Sequence, residues 1–202
     1  MTGRALLLHG LSSSPAGWWR VESWLRDAGW TTATRALLGH DGRDPAPRYS
    51  LDDYLADQRG SGPWDLVVAH SLGGSIATVL AAEDPSWTAR LVLLDPVWYV
   101  PQDELAAIAA DQVSELAWTA DTLAAAKPHW DARDISAKLA AVDRVDPAAV
   151  ERTFRDAVSW DLRDSARAIR VPTLVLGGDP AVYTMLEPDD ARDVAQHAAD
   201  LS

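Results

Sequence analysis

The stretch AHSLGG places Ser71 between an apolar run and a helix-like pattern, with the small residues Ala69 and Gly73 two positions before and after it. A sharp turn from strand to helix lifts such a serine above the edge of a sheet, and its strained backbone requires small neighbours. The new helix also directs its free N–H groups at the same point. This pattern favours a nucleophilic serine over the alternative, in which Ser71 only caps the helix.

A second loop has the features needed for the other half of an acyl-transfer site. The run LLLHGLSSSPAGWW has the form of a strand ending at His9-Gly10, a Ser/Gly loop and then a helix. We expect this loop to bring the N–H of Leu11 towards the Ser71 turn, where it and the N–H of Leu72 would hold an oxyanion. His9 itself is expected to position the loop rather than to act as a base, and it is also a candidate for the lining of the substrate pocket.

Strand-like and helix-like segments alternate around these loops. Four continuous apolar runs are typical of strands covered on both faces of a parallel sheet: Arg4–Gly10, Asp65–His70, Arg90–Pro96 and Val171–Gly178. The run Trp30–Leu37 is Thr-rich and is expected nearer a sheet edge. Between the strands, Ser14-Pro15 and Ser50 mark predicted helix starts, and Gly29 a helix end. This order predicts an α/β fold with right-handed crossovers.

The segment 101–168 has a different composition, rich in Ala, Asp and Arg, with helical spacing and no strand-like run. We predict an all-helical cap inserted into an α/β core made of residues 1–100 and 169–202. Large aromatic residues in or near the cap are candidates for the lining of an apolar pocket, with simple packing as the alternative for each. They are Trp19, Trp98, Trp118, Trp130 and Trp160.

Composition excludes several classes of function. The net charge is −12 and no basic cluster is present, which argues against nucleic acids and anionic membrane surfaces as partners. No apolar run reaches the roughly 18 residues of a membrane span, so a cytoplasmic protein is predicted. The sequence lacks cysteine, metal-binding motifs, a Walker loop and a dinucleotide fingerprint. We therefore predict no disulfide, no metal and no cofactor, and leave the oligomeric state open.

Five segments together resemble the α/β-hydrolase superfamily over most of the chain. They are the His9-Gly10 loop, LLGHDGR, the AHSLGG turn, LVLLDP before the cap and VPTLVLGGDP after it. The resemblance implies a mostly parallel sheet, a pocket between sheet and cap, and a Ser–His–acid triad. It implies an acid just after a late strand, where Asp179 stands, with Asp95 after an earlier strand as the rival. Each aspartate is otherwise a turn or capping residue.

The histidine of such a triad has no obvious counterpart in the sequence. The resemblance implies one more strand after the acid, followed by the base, yet the residues after Asp179 read as a loop and a helix. His70 is expected to point away from Ser71, and His197 to lie on a helix surface. Without the further strand, Val171–Gly177 would form an open apolar edge, so we expect a longer parent sequence. There are two alternatives to a longer parent sequence: a partner chain supplies the strand, or the protein has lost its base.

The leading hypothesis is a cofactor-independent serine hydrolase that acts on a small or medium apolar ester through Ser71. Asp179 would orient a histidine, and the N–H groups of Leu11 and Leu72 would hold the oxyanion. The same site would also suit C–C bond hydrolysis or a lyase reaction, because the fold alone does not select the chemistry. An alternative from another class is a non-catalytic protein of this fold that binds a small apolar ligand under the cap.

Overall fold

The computed structural model describes the backbone of residues 2–200 and the side chains of residues 2–197. Its main sheet has five parallel strands in the order β2-β1-β3-β4-β7. These strands are β1 Arg4–Leu8, β2 Thr31–Arg35, β3 Leu66–His70, β4 Leu91–Leu94 and β7 Thr173–Leu176. The α/β class and the parallel sheet predicted from the apolar runs are confirmed. The Thr-rich strand β2 forms one edge of the sheet, as predicted.

Helices connect and cover the strands. They are α1 Trp19–Asp27, α2 Leu51–Gln58, α3 Leu72–Glu83, α4 Leu105–Ser114, α5 Ala120–Ala126, α6 Ala132–Arg144, α7 Pro147–Arg155, α8 Arg163–Ala168 and α9 Pro188–Asp200. Ser50 and Asp53 form a capping box at the start of α2, as the sequence suggested. At Ser14-Pro15 the chain enters a 3₁₀ turn, and α1 begins only at Trp19. Gly29, with φ +86°, follows the end of α1.

Helix α3 lies closest to the centre of the molecule. Every residue from Leu72 to Ala81 is buried, so the helix is enclosed on all its faces. A Cβ on Gly73 would lie 2.6 Å from the carbonyl oxygens of Leu8 and His9. Glycine is therefore required where α3 crosses the end of β1, and this close packing fixes the start of the helix against the sheet.

The segment predicted as a cap contains α4 to α8, with α4 packed on α7 and α5 on α6. It is not entirely helical, because β6 (Trp160–Asp161) pairs antiparallel with β5 (Tyr99–Val100) at the entry to the segment. This short ribbon ties the two ends of the insertion together next to β4. The division into a core and a cap domain stays a prediction. Within residues 2–200, no helix has the length and apolar character needed to cross a membrane.

Strand β7 forms the second edge of the sheet among the described residues. Its Leu174 and Leu176 side chains are 52% and 48% exposed, which is unusual for leucines of a parallel strand. A groove of about 690 Å³ runs beside this edge, between β7, α8 and α9. The open apolar edge expected from the sequence is thus present in this part of the chain.

Candidate active site

Ser71 occupies a strained turn between β3 and α3. Its φ and ψ are +50° and −119°, a conformation that residues with a Cβ rarely adopt. The Ser71 N–H donates to the carbonyl of Leu94 on β4 (3.0 Å), and the N–H of Ser75 donates to the carbonyl of Ser71 (2.9 Å). These bonds hold the turn in place. The local pattern AHSLGG therefore folds as predicted, and Ser71 lines a pocket of about 230 Å³.

Two sides of the fold enclose this pocket. The carboxyl ends of β1, β3 and β4 bring Leu11, His70, Ser71 and Asp95 to one side. The segment 101–168 provides the facing side, with apolar and charged side chains. These are Ile108, Gln112, Glu115, Trp118, Leu123, Lys127, Trp130, Lys138 and Phe154. The pocket therefore lies between sheet and insertion, where the sequence resemblance placed it.

The loop after β1 closes directly on the Ser71 turn. A Cβ on Gly10 would lie 3.0 Å from the Ser71 Cβ and 2.9 Å from the His70 Nδ1, so only glycine permits this approach. Leu11 lines the pocket next to the serine. Leu72 is the first residue of α3, and its N–H therefore has no acceptor within that helix. The geometry suits an oxyanion hole made by these two N–H groups, and that role stays a prediction.

His9 is buried behind this loop and does not line the pocket. Its Nε2 accepts a hydrogen bond from the Leu37 N–H (3.1 Å), which places the proton on Nδ1, the donor to the Gly10 carbonyl (2.8 Å). Burial, reinforced by the neighbouring His40 ring, lowers the pKa of His9 to about 3. His9 is thus a neutral imidazole that holds the Gly10 carbonyl, and its positioning role stays a prediction.

A lysine from the insertion fixes the next residue of the same loop. Ser12 is fully buried and has φ +52°. The Lys138 ammonium of α6 donates to the Ser12 carbonyl (3.0 Å), the Ser12 Oγ (2.8 Å) and the Glu115 carboxylate (2.6 Å). Ser12 Oγ also donates to Glu115 (2.8 Å). The sequence analysis missed this cluster, because Lys138 lies 126 residues from Ser12 and neither belongs to a local motif.

The two candidate acids occupy different surroundings. Asp95, with φ +45°, lines the Ser71 pocket. Its carboxylate accepts hydrogen bonds from the loop after β7, namely from the N–H groups of Gly178 (3.2 Å), Met185 (3.0 Å) and Leu186 (3.3 Å) and the hydroxyl of Thr184. The Asp179 carboxylate accepts from the Ala181 N–H (2.9 Å) in its own turn and does not line the pocket. The geometry favours the rival Asp95, and Asp179 stays an untested prediction.

His70 is the one histidine that lines the pocket, and all five histidines of the sequence lie within the described residues. The expectation that its side chain points away from that of Ser71 stays a prediction. Burial is the main cause that lowers the pKa of His70; Lys138 lowers it further, while Asp95 and Glu115 oppose the shift. His40 is buried, whereas His129 and His197 are exposed, the latter as predicted.

The five candidate tryptophans divide into two groups. Trp118 and Trp130 line the Ser71 pocket, and Trp130 remains 41% exposed. The other three do not line it, and each of their indole N–H groups has an acceptor elsewhere. Trp98 donates to Thr78 (3.0 Å), Trp160 to the carbonyl of Val97 (2.9 Å) and Trp19 to Asp134 (2.7 Å). Trp98 and Trp160 are buried in the core, so they have the packing role that was the alternative for each tryptophan.

Comparison with known proteins places these features in a family context. A sequence profile of the alpha/beta hydrolase family matches residues 5–201. The lipase LipV of Mycobacterium tuberculosis is 40% identical over 100 residues, which cover 46% of this chain and 37% of the lipase. The chain thus matches well under half the length of this curated relative. Within the described residues, no group of three or more His, Cys, Asp or Glu side chains is arranged to hold a metal ion.

Solved structures share the fold at low sequence identity. The structure of E-2-(acetamidomethylene)succinate hydrolase superimposes with a TM-score of 0.79 at 21% identity, over 99% of this chain and 81% of that one. An esterase from Exiguobacterium antarcticum gives 0.78 at 18% identity, over 97% and 80% of the respective chains. At these identities, the likeness establishes the architecture and leaves substrate and mechanism to the site itself.

Proposed function

Because the chain belongs to the alpha/beta hydrolase family, we propose that it is a serine hydrolase in which Ser71 attacks the carbonyl carbon of a small or medium ester. The observation that carries this proposal is the strained turn at Ser71, which holds the serine in a pocket against the Gly10-Leu11 loop. Backbone strain of this kind persists only where the surrounding structure enforces it, and it is concentrated at functional sites.

The proposed reaction proceeds in two steps. Ser71 Oγ adds to the carbonyl, and the N–H groups of Leu11 and Leu72 stabilise the negative charge that forms on the carbonyl oxygen. Collapse of this intermediate releases the alcohol and leaves an ester on Ser71, which water then cleaves to the free acid. Loss of one such N–H donor typically slows acyl transfer by about 10²–10³-fold, so the fixed position of the loop is central to the proposal.

A serine requires a base to accept its proton, and a histidine is proposed for this role. There are two candidates for this histidine. His70 lines the pocket, and its lowered pKa keeps the ring neutral at pH 7, in the form that accepts a proton. The other source is a histidine that follows a further strand beside β7, as the sequence resemblance implies. Substitution His70→Phe separates them: if Ser71 depends on His70, its reaction rate falls sharply, and otherwise it changes little.

Asp95 is the acid favoured for orienting the base, because it faces the pocket and its carboxylate is held by four donors. Asp179 remains the alternative. Trp118, Leu123 and Trp130 line the same pocket as Ser71, which supports an acyl group with an apolar chain. The curated relative is named a lipase, which agrees with ester hydrolysis. The cytoplasmic location predicted from the sequence stays a prediction.

Reaction with a fluorophosphonate, followed by intact mass spectrometry, tests the proposal. The wild-type protein should gain one adduct, and Ser71→Ala should gain none. Ser13→Ala is the matched control, because Ser13 lines the same pocket outside the strained turn. An adduct that survives in Ser71→Ala, or that disappears in Ser13→Ala, would place the nucleophile elsewhere.

A non-catalytic ligand-binding protein is the second candidate. It is favoured by one observation, namely that among the described residues no histidine is hydrogen-bonded to the Ser71 hydroxyl. This candidate predicts no adduct on wild-type protein, together with retained binding of a small apolar ester. C–C bond hydrolysis or a lyase reaction would retain the adduct on Ser71, with turnover of a different substrate class.

A further inference from the structure

The charged groups of the Ser71 pocket are not equally partnered. Lys138 and Glu115 bind each other, and Asp95 is held by donors of the loop after β7. Lys127 also lines the pocket and is half-buried, but its ammonium has no hydrogen bond or ion pair with any described residue. Among the lysines of the pocket, Lys127 is thus the one without a partner within the described residues.

The position of Lys127 relates this charge to the proposed nucleophile. Lys127 follows the last residue of α5, where its own N–H donates to the carbonyl of Leu123 (2.9 Å). It belongs to the insertion, whereas Ser71 stands at the carboxyl end of a strand on the facing side of the pocket. A ligand that spans the pocket therefore has one end at the serine and the other near an ammonium.

Apolar side chains form much of the pocket wall near Lys127. Trp118, Leu123 and Trp130 line the same pocket and come from the same part of the insertion as Lys127. An unpaired, partly buried ammonium is energetically unfavourable in such surroundings, and an anion would relieve the cost. The volume of about 230 Å³ suits a short methylene chain rather than a long acyl tail.

We infer that Lys127 selects esters whose acyl group ends in a carboxylate, so that the substrate is a monoester of a short dicarboxylic acid. This inference rests on the proposed function. The ester carbonyl lies at Ser71, the methylene groups contact the tryptophans, and the free carboxylate binds the Lys127 ammonium. Cleavage breaks the acyl C–O bond and transfers the acyl group first to Ser71 and then to water. The products are an alcohol and a dicarboxylate.

Binding to the Ser71→Ala variant tests this assignment without turnover. The ligand pair is the N-butyl monoamide of glutaric acid and its methyl ester, which differ in the terminal charge. Calorimetry at low salt should show about tenfold tighter binding of the acid, a preference that weakens as salt is raised. In the Ser71→Ala/Lys127→Gln double variant, the two ligands should bind equally. In Ser71→Ala/Lys127→Arg, the preference should persist. Equal affinity of both ligands for Ser71→Ala overturns the inference.

Turnover provides the second measurement. The 4-methylumbelliferyl monoesters of succinate, glutarate and adipate are compared with the same esters capped by methyl at the free acid. Lys127→Gln should lower kcat/KM about tenfold for the best acid and less than about twofold for its capped form. Arg170→Gln is the matched control, because Arg170 lines the groove beside β7 and not this pocket. Thermal unfolding of each variant shows whether a loss reflects misfolding.

Failure of this inference is distinguishable from failure of the proposed function. If Ser71 gains the fluorophosphonate adduct and neutral esters are hydrolysed with no preference for the acid, the inference is wrong and the hydrolase proposal stands. If Ser71 gains no adduct but the carboxylate ligand still binds through Lys127, the pocket recognises the anion and the catalytic proposal fails.

Discussion

Two concave regions of this molecule differ in size and in chemistry. The groove beside β7 encloses about 690 Å³ and is lined mostly by apolar side chains, whereas the Ser71 pocket encloses about 230 Å³ and is lined by two serines, a histidine, two carboxylates and two lysines besides its apolar residues. A large apolar cavity is the usual first choice for a ligand site. Here the smaller cavity carries the reactive groups.

The difference has a structural cause. The Ser71 pocket lies where the carboxyl ends of three parallel strands meet the start of α3, so loops from distant parts of the sequence converge there. The groove lies along the side of β7, the edge strand of the sheet among the described residues, and its lining is mostly apolar. Where the ends of several strands meet, polar side chains from different loops come close together. Along the edge of one strand, the surface is instead suited to pairing with another strand or to packing.

Substitution of Ser71 should separate the two regions most clearly. Ser71→Ala should lower ester hydrolysis by about 10³-fold or more, because the proposed nucleophile is removed. Thr173→Ala, in the groove, should leave kcat/KM within about twofold. Steady-state kinetics with a 4-methylumbelliferyl ester measures both. Comparable losses in the two variants would show that the groove belongs to the functional site.

The two aspartates allow a sharper version of the same comparison. Asp95→Asn should lower kcat by about 10²-fold, because the residue faces the pocket and would no longer stabilise a cationic base. Asp179→Asn, whose carboxylate binds its own turn, should change kcat less than about threefold. The opposite order would assign the acid to the end of β7 and extend the site towards the groove.

Acid should destabilise the protein through the histidines behind the pocket. His9 and His40 have pKa values lowered to about 3 and about 4, mainly by burial, compared with about 6.5 when unfolded. Between these values the unfolded state binds more protons, so stability falls as the pH decreases through 6.5 towards 4. Each histidine should remove on the order of 2 kcal/mol of unfolding free energy between pH 7 and pH 5.

Urea unfolding at the two pH values measures this loss. His40→Gln should lose less stability than the wild type over the same interval, since one buried imidazole no longer titrates. Thr173→Ala should retain the full pH dependence, because no histidine lines the groove among the described residues. A stability of the wild type that is the same at pH 5 and pH 7 would contradict the assignment of buried, neutral rings.

The Lys138 cluster should give a smaller effect on activity than Ser71 or Asp95. Lys138→Met removes the hydrogen bonds that hold the Ser12 carbonyl, and the neighbouring N–H of Leu11 should lose its fixed position. We expect kcat to fall about tenfold with KM nearly unchanged. The rate of fluorophosphonate labelling should fall in parallel. A change in KM alone would instead indicate that Lys138 contacts the substrate.

The sequence by itself determined the parallel sheet, the Ser71 turn and the loop at His9-Gly10. Each of these features depends on a short contiguous stretch of sequence. Continuous apolar runs form buried strands, and the small residues Ala69 and Gly73 permit a turn that larger residues would obstruct. The start of α2 was likewise readable from Ser50 and Asp53. Such features depend on residues within a few positions of one another.

Only the tertiary structure decided which side chains share the pocket. Asp95, and not Asp179, lines the pocket of Ser71, and only Trp118 and Trp130 of the five candidate tryptophans do so. Lys138 binds Ser12, which lies 126 residues away in the sequence. The direction of a cap side chain depends on how α4 to α7 pack across the strand ends. That packing depends on side chains far apart in the sequence, so no local pattern specifies it.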